Sequence, residues 1–198
     1  MKIEFAIFLL ALLLSNTAYA HSFMAEGGEY EFFIEGIKVV LSDVQLILPV
    51  IALSLLVSLW KIDGILSVWP AYIIGNLLGI PLATFVTGYI IQLYISLGIF
   101  LALFAALAPK RNHLEIRILA AVIGLTSVLT VLEGHEFLEL PSTIYLGLLF
   151  GLNLVLVVSA NISSLILKSL NTTWANIGIR AVAAWVAAIG ILIFAVNV

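Results

Sequence analysis

Six long apolar stretches, about residues 38 to 60, 64 to 86, 88 to 108, 114 to 133, 143 to 167 and 177 to 197, follow one another with only short polar breaks between them. The stretches are bounded by charges, prolines and glycines, among them Lys61, Asp63, Lys110, Gly134, Pro141 and Lys168. Each stretch is long enough to cross the roughly 30 Å hydrocarbon layer of a bilayer, which takes about 20 apolar residues in a helix. Lipid offers no hydrogen-bond partner to an open backbone, and the runs are too long for barrel strands, so all six are predicted to be helices. The expected fold class is therefore all-α, a polytopic membrane helical bundle with six transmembrane helices.

Composition agrees and narrows the chemistry. The chain is 64% hydrophobic and 10% charged, with a mean hydropathy of +1.26, which excludes a soluble core. Cysteine is absent, so disulfides, thiolate metal sites, iron-sulfur clusters and cysteine nucleophiles are excluded together. The few basic residues are scattered, which gives no surface for nucleic acid. No nucleophile and base pair, phosphate loop or organic-cofactor motif appears, and the chain does not read as an enzyme.

The first twenty residues form a separate unit. Lys2, the apolar run from Phe5 to Leu14 and the small-x-small triplet Ala18-Tyr19-Ala20 read as a secretory signal peptide cleaved before His21. The expected domains are 1–20, signal peptide, and 21–198, the six-helix transmembrane domain, in a bacterial inner membrane. Cleavage places His21 outside and Lys61, Lys110, Arg111, Arg117, Lys168 and Arg180 inside, so six of the seven mature cations are cytoplasmic and both mature termini periplasmic.

The same topology sorts the acids. Glu26, Glu29, Glu31, Glu35, Asp43, Glu133, Glu136 and Glu139 fall on the outer side or just within the outer leaflet, whereas only Asp63 and Glu115 fall inside. An anionic vestibule of this kind concentrates cations; solvated acidic loops are the plainer account. Within it, Glu133-Gly134-His135-Glu136-Phe137-Leu138-Glu139-Leu140-Pro141 gathers three carboxylates and an imidazole at the end of an apolar span. His135 and Glu139 share a helix face if the fourth span runs on through them. A carboxylate-rich set with one imidazole suits manganese, ferrous iron or zinc, and imidazole itself suits nickel and copper as well. His113, alone in a basic loop, reads as a solvated or headgroup-facing side chain.

Inside the spans, Gly75-Asn76-Leu77-Leu78-Gly79 and Gly147-Leu148-Leu149-Phe150-Gly151 let helix backbones approach closely. Pro49 and Pro81 interrupt the first and second spans. Asn76, Gln92, Asn153 and Asn161, with Ser159, Ser163 and Ser164, make a thin polar stripe read as interhelical hydrogen bonding first and pore lining second.

A signal peptide ending before a histidine, six short spans, and a fourth span running into Gly134-His135-x-x-x-Glu139-x-Pro141 resemble the hydrogenase/urease accessory (HupE/UreJ) family, small permeases associated with nickel. The resemblance covers essentially the whole chain in layout and one motif in detail. It implies a nickel permease, with His135 and Glu139 in the metal site. The family's first-span signature, His-Pro-x-x-Gly-x-Asp-His, corresponds here to Ile37 through Gln45, which keeps neither histidine; Asp43, or with a shift of two residues Gln45, stands for the aspartate. Glu133 and Phe137 occupy places where the family often carries further histidines. The metal ligands so implied are His135, Glu139, Asp43 and Glu133. A freed His21 could add an amino and a ring nitrogen, or remain a terminal tail, as short ends usually do unless something docks them.

Two functions follow from these residues. One is a permease or accessory protein for a divalent transition metal, nickel by resemblance or zinc, iron, manganese or copper by ligand chemistry, with the metal ion and the lipid bilayer as partners. The other is a non-transporting subunit packed against a membrane-protein partner or a second copy of itself.

Overall fold

The computed structural model describes residues 27–86, 88–107 and 112–197; the expected signal peptide, residues 1–20, and His21 lie outside them. All regular structure among these residues is helical: α1 (Glu29–Ser42), α2 (Val44–Trp60), α3 (Ile65–Leu82), continued by a short 3-10 turn, α4 (Ile90–Leu107), α5 (His113–Val131), α6 (Ser142–Leu170) and α7 (Thr173–Asn197). Five helices are long and apolar enough to cross a membrane, and a sixth span is completed if α1 and α2, bent by 73°, are taken as one. The chain is a multi-pass membrane helical bundle, as its apolar stretches predict.

The first span departs from its expected bounds of 38 to 60. Helix begins at Glu29 and breaks at Asp43, whose backbone is extended (φ −100°, ψ 108°). The Asp43 carboxylate accepts the Gln45 N–H at 2.8 Å and so caps α2, while the Ser42 hydroxyl donates to the Lys38 carbonyl at 2.7 Å and closes α1. Ser and Asp compete for backbone partners in this way, which is why they favour helix ends over helix interiors. The other helices match their predicted spans to within four residues, the largest differences being the end of α3 at Leu82 and the start of α7 at Thr173.

Three tight seams hold the bundle. In the first, α1 lies on the start of α6: a Cβ at Gly36 would overlap the Ile144 carbonyl, and one at Gly147 would overlap the Phe33 carbonyl. In the second, α3 lies on α5, where a Cβ at Gly75 would overlap the Ala121 carbonyl and one at Gly124 the Tyr72 carbonyl. The third joins α2 to α4, Pro49 filling the space over Gly98, where a Cβ would come within 2.7 Å of its ring. Both small-xxx-small patterns thus serve close backbone packing, the main attraction between helices in lipid, where burial from water no longer drives association.

Serines reinforce the contact of α2 with α6. Ser54 donates to the Val50 and Leu156 carbonyls at 2.9 and 3.2 Å, and Ser58 to the Ser54 and Ala160 carbonyls at 2.9 and 3.1 Å. Ser159 meets the Ser54 hydroxyl at 2.9 Å and Ser164 the Ser58 hydroxyl at 3.3 Å. Trp69 donates its indole N–H to Asn153 at 2.8 Å, tying α3 to α6. Of the polar stripe, Ser159, Ser164 and Asn153 therefore make interhelical hydrogen bonds; Asn161 and Ser163 bond within their own helix, to the carbonyls of Val157 and Ser159.

Register fixes the direction of each span. Gly36 meets Ile144 while Val40 meets Gly151, so α1 and α6 run parallel. Tyr94 meets Leu46 while Gly98 meets Pro49, so α2 and α4 run parallel. Ser67 meets Arg117 while Gly79 meets Val128, so α3 and α5 run parallel. Arg180 meets Ala106 and Gly190 meets Ile99, which sets α7 against α4. The Trp60 ring lies 5.3 Å from that of His113, placing the end of α2 beside the start of α5. Successive spans alternate in direction, and the two ends of the bundle follow from that.

Candidate functional site

Alternation brings Asp43, the connection between α3 and α4, the turn after α5 and the start of α6 to one end. Glu29, Glu31 and Glu35 on α1, Asp43, Glu133, Glu136 and Glu139 all belong to this end, together with Lys38. The opposite end holds Lys61, Arg117, Lys168 and Arg180 with Asp63 and Glu115. Arg117 and Arg180 are structural there, donating from Nε to the Ser67 carbonyl at 3.0 Å and to the Ala106 carbonyl at 2.7 Å. The bundle is therefore polarised, acidic at one end and basic at the other.

The acidic turn is not helical, which corrects the expectation that His135 and Glu139 share a helix face. Helix α5 ends at Val131, and residues 132–140 form turns. Gly134 takes φ 84°, and Leu138 takes φ 62°, a left-handed conformation costly for a side chain larger than glycine's. Two short backbone bonds build the turn, from the His135 N–H to the Leu132 carbonyl at 3.1 Å and from the Glu139 N–H to the Glu136 carbonyl at 3.2 Å. The Glu139 carboxylate returns to accept the Glu136 N–H at 2.8 Å. Glu139 thus stabilises its own loop, Pro141 ends it, and α6 begins at Ser142.

The expected ligands occupy different settings. His135 and Glu133 are half-buried, Glu136 and Glu139 exposed, and Asp43 half-buried at the cap of α2. Among the described residues no group of three or more His, Asp or Glu side chains lies close enough to hold a metal ion. The fold brings Asp43, Glu133, His135 and Glu139 to one end without assembling them into a coordination sphere.

Glu133 carries a distinct electrostatic signature. It stands past the end of α5, where burial pushes its carboxyl above the ordinary carboxylate range and the nearby Gly88 backbone N–H partly offsets the rise. A raised folded-state value means that the folded protein holds this proton more tightly than the unfolded chain does. Its contribution to stability is therefore complete below the unfolded value of about 4.5 and is lost as pH rises through the folded value. Glu133→Gln is expected to melt at a higher temperature than the wild type above that window and to lose the advantage below it. A melting-temperature difference that stays constant with pH would show that Glu133 is not desolvated.

Ser54, Ser58 and Tyr72 join the polar positions of the bundle interior only with the fold. Ser54 and Ser58, and Tyr72 and Asn76, are each spaced four apart in otherwise apolar helices, a helical-face signal that the sequence carries; the polar stripe read from sequence includes Asn76 but not the other three. Tyr94, wholly buried, donates its hydroxyl to the Leu46 carbonyl at 2.8 Å. Gln45, weighed beside Asp43 in the sequence, lines a small crevice with Pro49, Gly98 and Gly190. No family model, curated protein or solved structure matches this chain.

Proposed function

We propose that this chain is an inner-membrane permease or accessory protein for a divalent transition metal ion, the acidic end facing the periplasm and the basic end the cytoplasm. The observation that carries the reading is the separation of charge between the two ends of the bundle. Seven carboxylates gathered at one mouth raise the local concentration of cations there, and cations gathered at the other follow the rule that loops rich in Lys and Arg stay inside. Lys110 and Arg111, by their place in the sequence between α4 and α5, add to the inner set. Nickel enters through the resemblance of Gly134, His135, Glu139 and Pro141 to the HupE/UreJ motif; a single imidazole among carboxylates is equally suited to zinc, iron or manganese.

On this reading His135 supplies the nitrogen ligand, with Glu133, Asp43 and Glu139 as oxygen donors recruited when the turn rearranges around the ion. Glu139 would exchange its bond to the Glu136 N–H for the metal. Metal content of the purified protein, equilibrated in turn with nickel, zinc, manganese and ferrous iron, tests the proposal. At least one ion is expected to bind at about one per chain, His135→Ala to lose it, and Glu136→Gln to keep it. Equal metal content in wild type and His135→Ala would remove the central residue and favour the second reading, a non-transporting subunit whose capped acidic turn docks a membrane partner.

Orientation has its own test, and the absence of native cysteine makes it clean. Single cysteines replacing Leu138 and Asn112, treated on intact cells with a membrane-impermeant thiol reagent, are expected to label at 138 alone. Labelling at 112 alone would invert the bundle.

A further inference from the structure

The middle of the bundle contains polar groups that neither the acidic end nor the serine seam uses. Tyr72 and Asn76 stand one turn apart on α3 and are 0% and 1% exposed. The Tyr72 hydroxyl lies beside the Asn76 amide and beside Ser127 of α5, yet neither that hydroxyl nor either atom of the amide reaches a partner in hydrogen-bonding geometry. Ser127 sends its proton to the Gly124 carbonyl at 2.8 Å, which leaves its lone pairs to accept. Thr126 and Thr130 are engaged by their own helix, at 2.8 Å from the Val122 and Thr126 carbonyls. Gly124 makes room for the amide, since a Cβ there would stand 2.9 Å from the Asn76 Oδ1.

A buried polar group left without a partner costs about 1–3 kcal/mol, and nearly all such groups in folded proteins are satisfied by protein or by ordered water. Here a phenol and both ends of an amide lack a partner in hydrogen-bonding geometry, and a serine with lone pairs to spare lies near the phenol. Donors and acceptors are both present, and all are neutral. A bare cation would find no carboxylate among these three side chains to offset its desolvation, whereas water both donates and accepts and needs two to four polar partners. We propose that Tyr72, Asn76 and Ser127 form an internal binding site for water between α3 and α5.

The site has polar neighbours on its way to the acidic end. Tyr72 lies within electrostatic range of Tyr94, and Tyr94 within range of Asp43. Tyr94 is itself bonded to the first turn of α2 through Leu46. The inference stands on unpartnered atoms in the core and is independent of whether the protein binds metal.

Water-edited solid-state NMR on the uniformly 15N-labelled protein in lipid bilayers tests it. Magnetisation from water is expected to reach the Asn76 side-chain amide several-fold faster than the backbone amides of Leu53 and Ala120, both wholly buried among apolar groups. The Asn76 signal is assigned by its loss in Asn76→Leu or, should that variant not fold, by its displacement in Tyr72→Phe. Build-up no faster than at Leu53 and Ala120 would mean a dry site and overturn the proposal. Thermal melting gives a second arm: Asn76→Leu and Tyr72→Phe are each expected to lower the melting temperature, because each strands the groups the water joins. A rise in Asn76→Leu would show that an unsatisfied amide had been removed from a dry core, and would overturn the proposal equally.

Discussion

Gly147→Val is expected to separate α1 from α6 and to destabilise the protein strongly. A side chain at 147 meets the Phe33 carbonyl, and the Gly36 Cα stands 3.2 Å away. Both are backbone atoms, which no rotamer change can move aside. The two helices must therefore draw apart along the length on which α1 buries Gly36, Val39 and Val40, and the dispersion attraction forfeited over such a face is large in sum although each atom pair adds little. Overpacking of this kind costs about 1–3 kcal/mol and sometimes more; the upper part of that range applies where backbone faces backbone. Gly151→Ala should be far milder, because its Cβ would meet the Val40 Cβ at 3.2 Å and a side chain can shift by a few tenths of an ångström. Thermal melting of the two variants, with limited proteolysis by a Glu-specific protease at Glu29, Glu31 and Glu35, reads the difference. An unchanged melting temperature and unchanged protection in Gly147→Val would refute this account of the seam.

Gly75→Leu and Gly178→Leu should shift stability in opposite directions. At Gly75 a Cβ overlaps the Ala121 carbonyl and stands 2.9 Å from the Leu125 nitrogen, so the substitution opens the seam between α3 and α5. At Gly178 nothing lies within 4 Å, and the position is exposed on the outside of α7. Leucine there meets no clash and gains the helix propensity that glycine lacks, about 0.8–1 kcal/mol in a helix interior. The expected result is a large fall in melting temperature for Gly75→Leu and no change or a small rise for Gly178→Leu, measured in one detergent. Equal losses in both would mean that glycine content, rather than close approach of α3 to α5, controls stability.

The two glycines look alike in the sequence, each sitting in a long apolar run, and only their partners separate them. Gly75 had a hint in Gly79, four residues on, and Gly147 one in Gly151; Gly36 and Gly124 had none, because their counterparts lie on other helices. Asp43 was legible as a polar residue in the first span but not as the cap at which that span bends, since an extended residue between two helices arises from a local competition for the Gln45 N–H. The turn after α5 went the same way. Gly134 and Pro141 marked a break, yet Leu138 at positive φ and the return of Glu139 to the Glu136 N–H could be recognised only in three dimensions.

Hydrophobic content and the length of the apolar runs determined on their own that this chain is a bundle of membrane helices, because lipid admits no other way to satisfy so many backbone groups. Charge placement along the chain already implied a polarised molecule, since each crossing sends the next connection to the opposite end. Tertiary structure alone decided which helices touch, that Ser54 and Ser58 meet α6, and that Tyr72 and Asn76 confront Ser127 without bonding it. It also decided that Asp43, Glu133, His135 and Glu139 share an end without forming a ready-made ligand cluster. The reason is physical: partition into lipid depends on each segment's own composition, whereas partners and distances depend on how segments distant in the chain pack against one another.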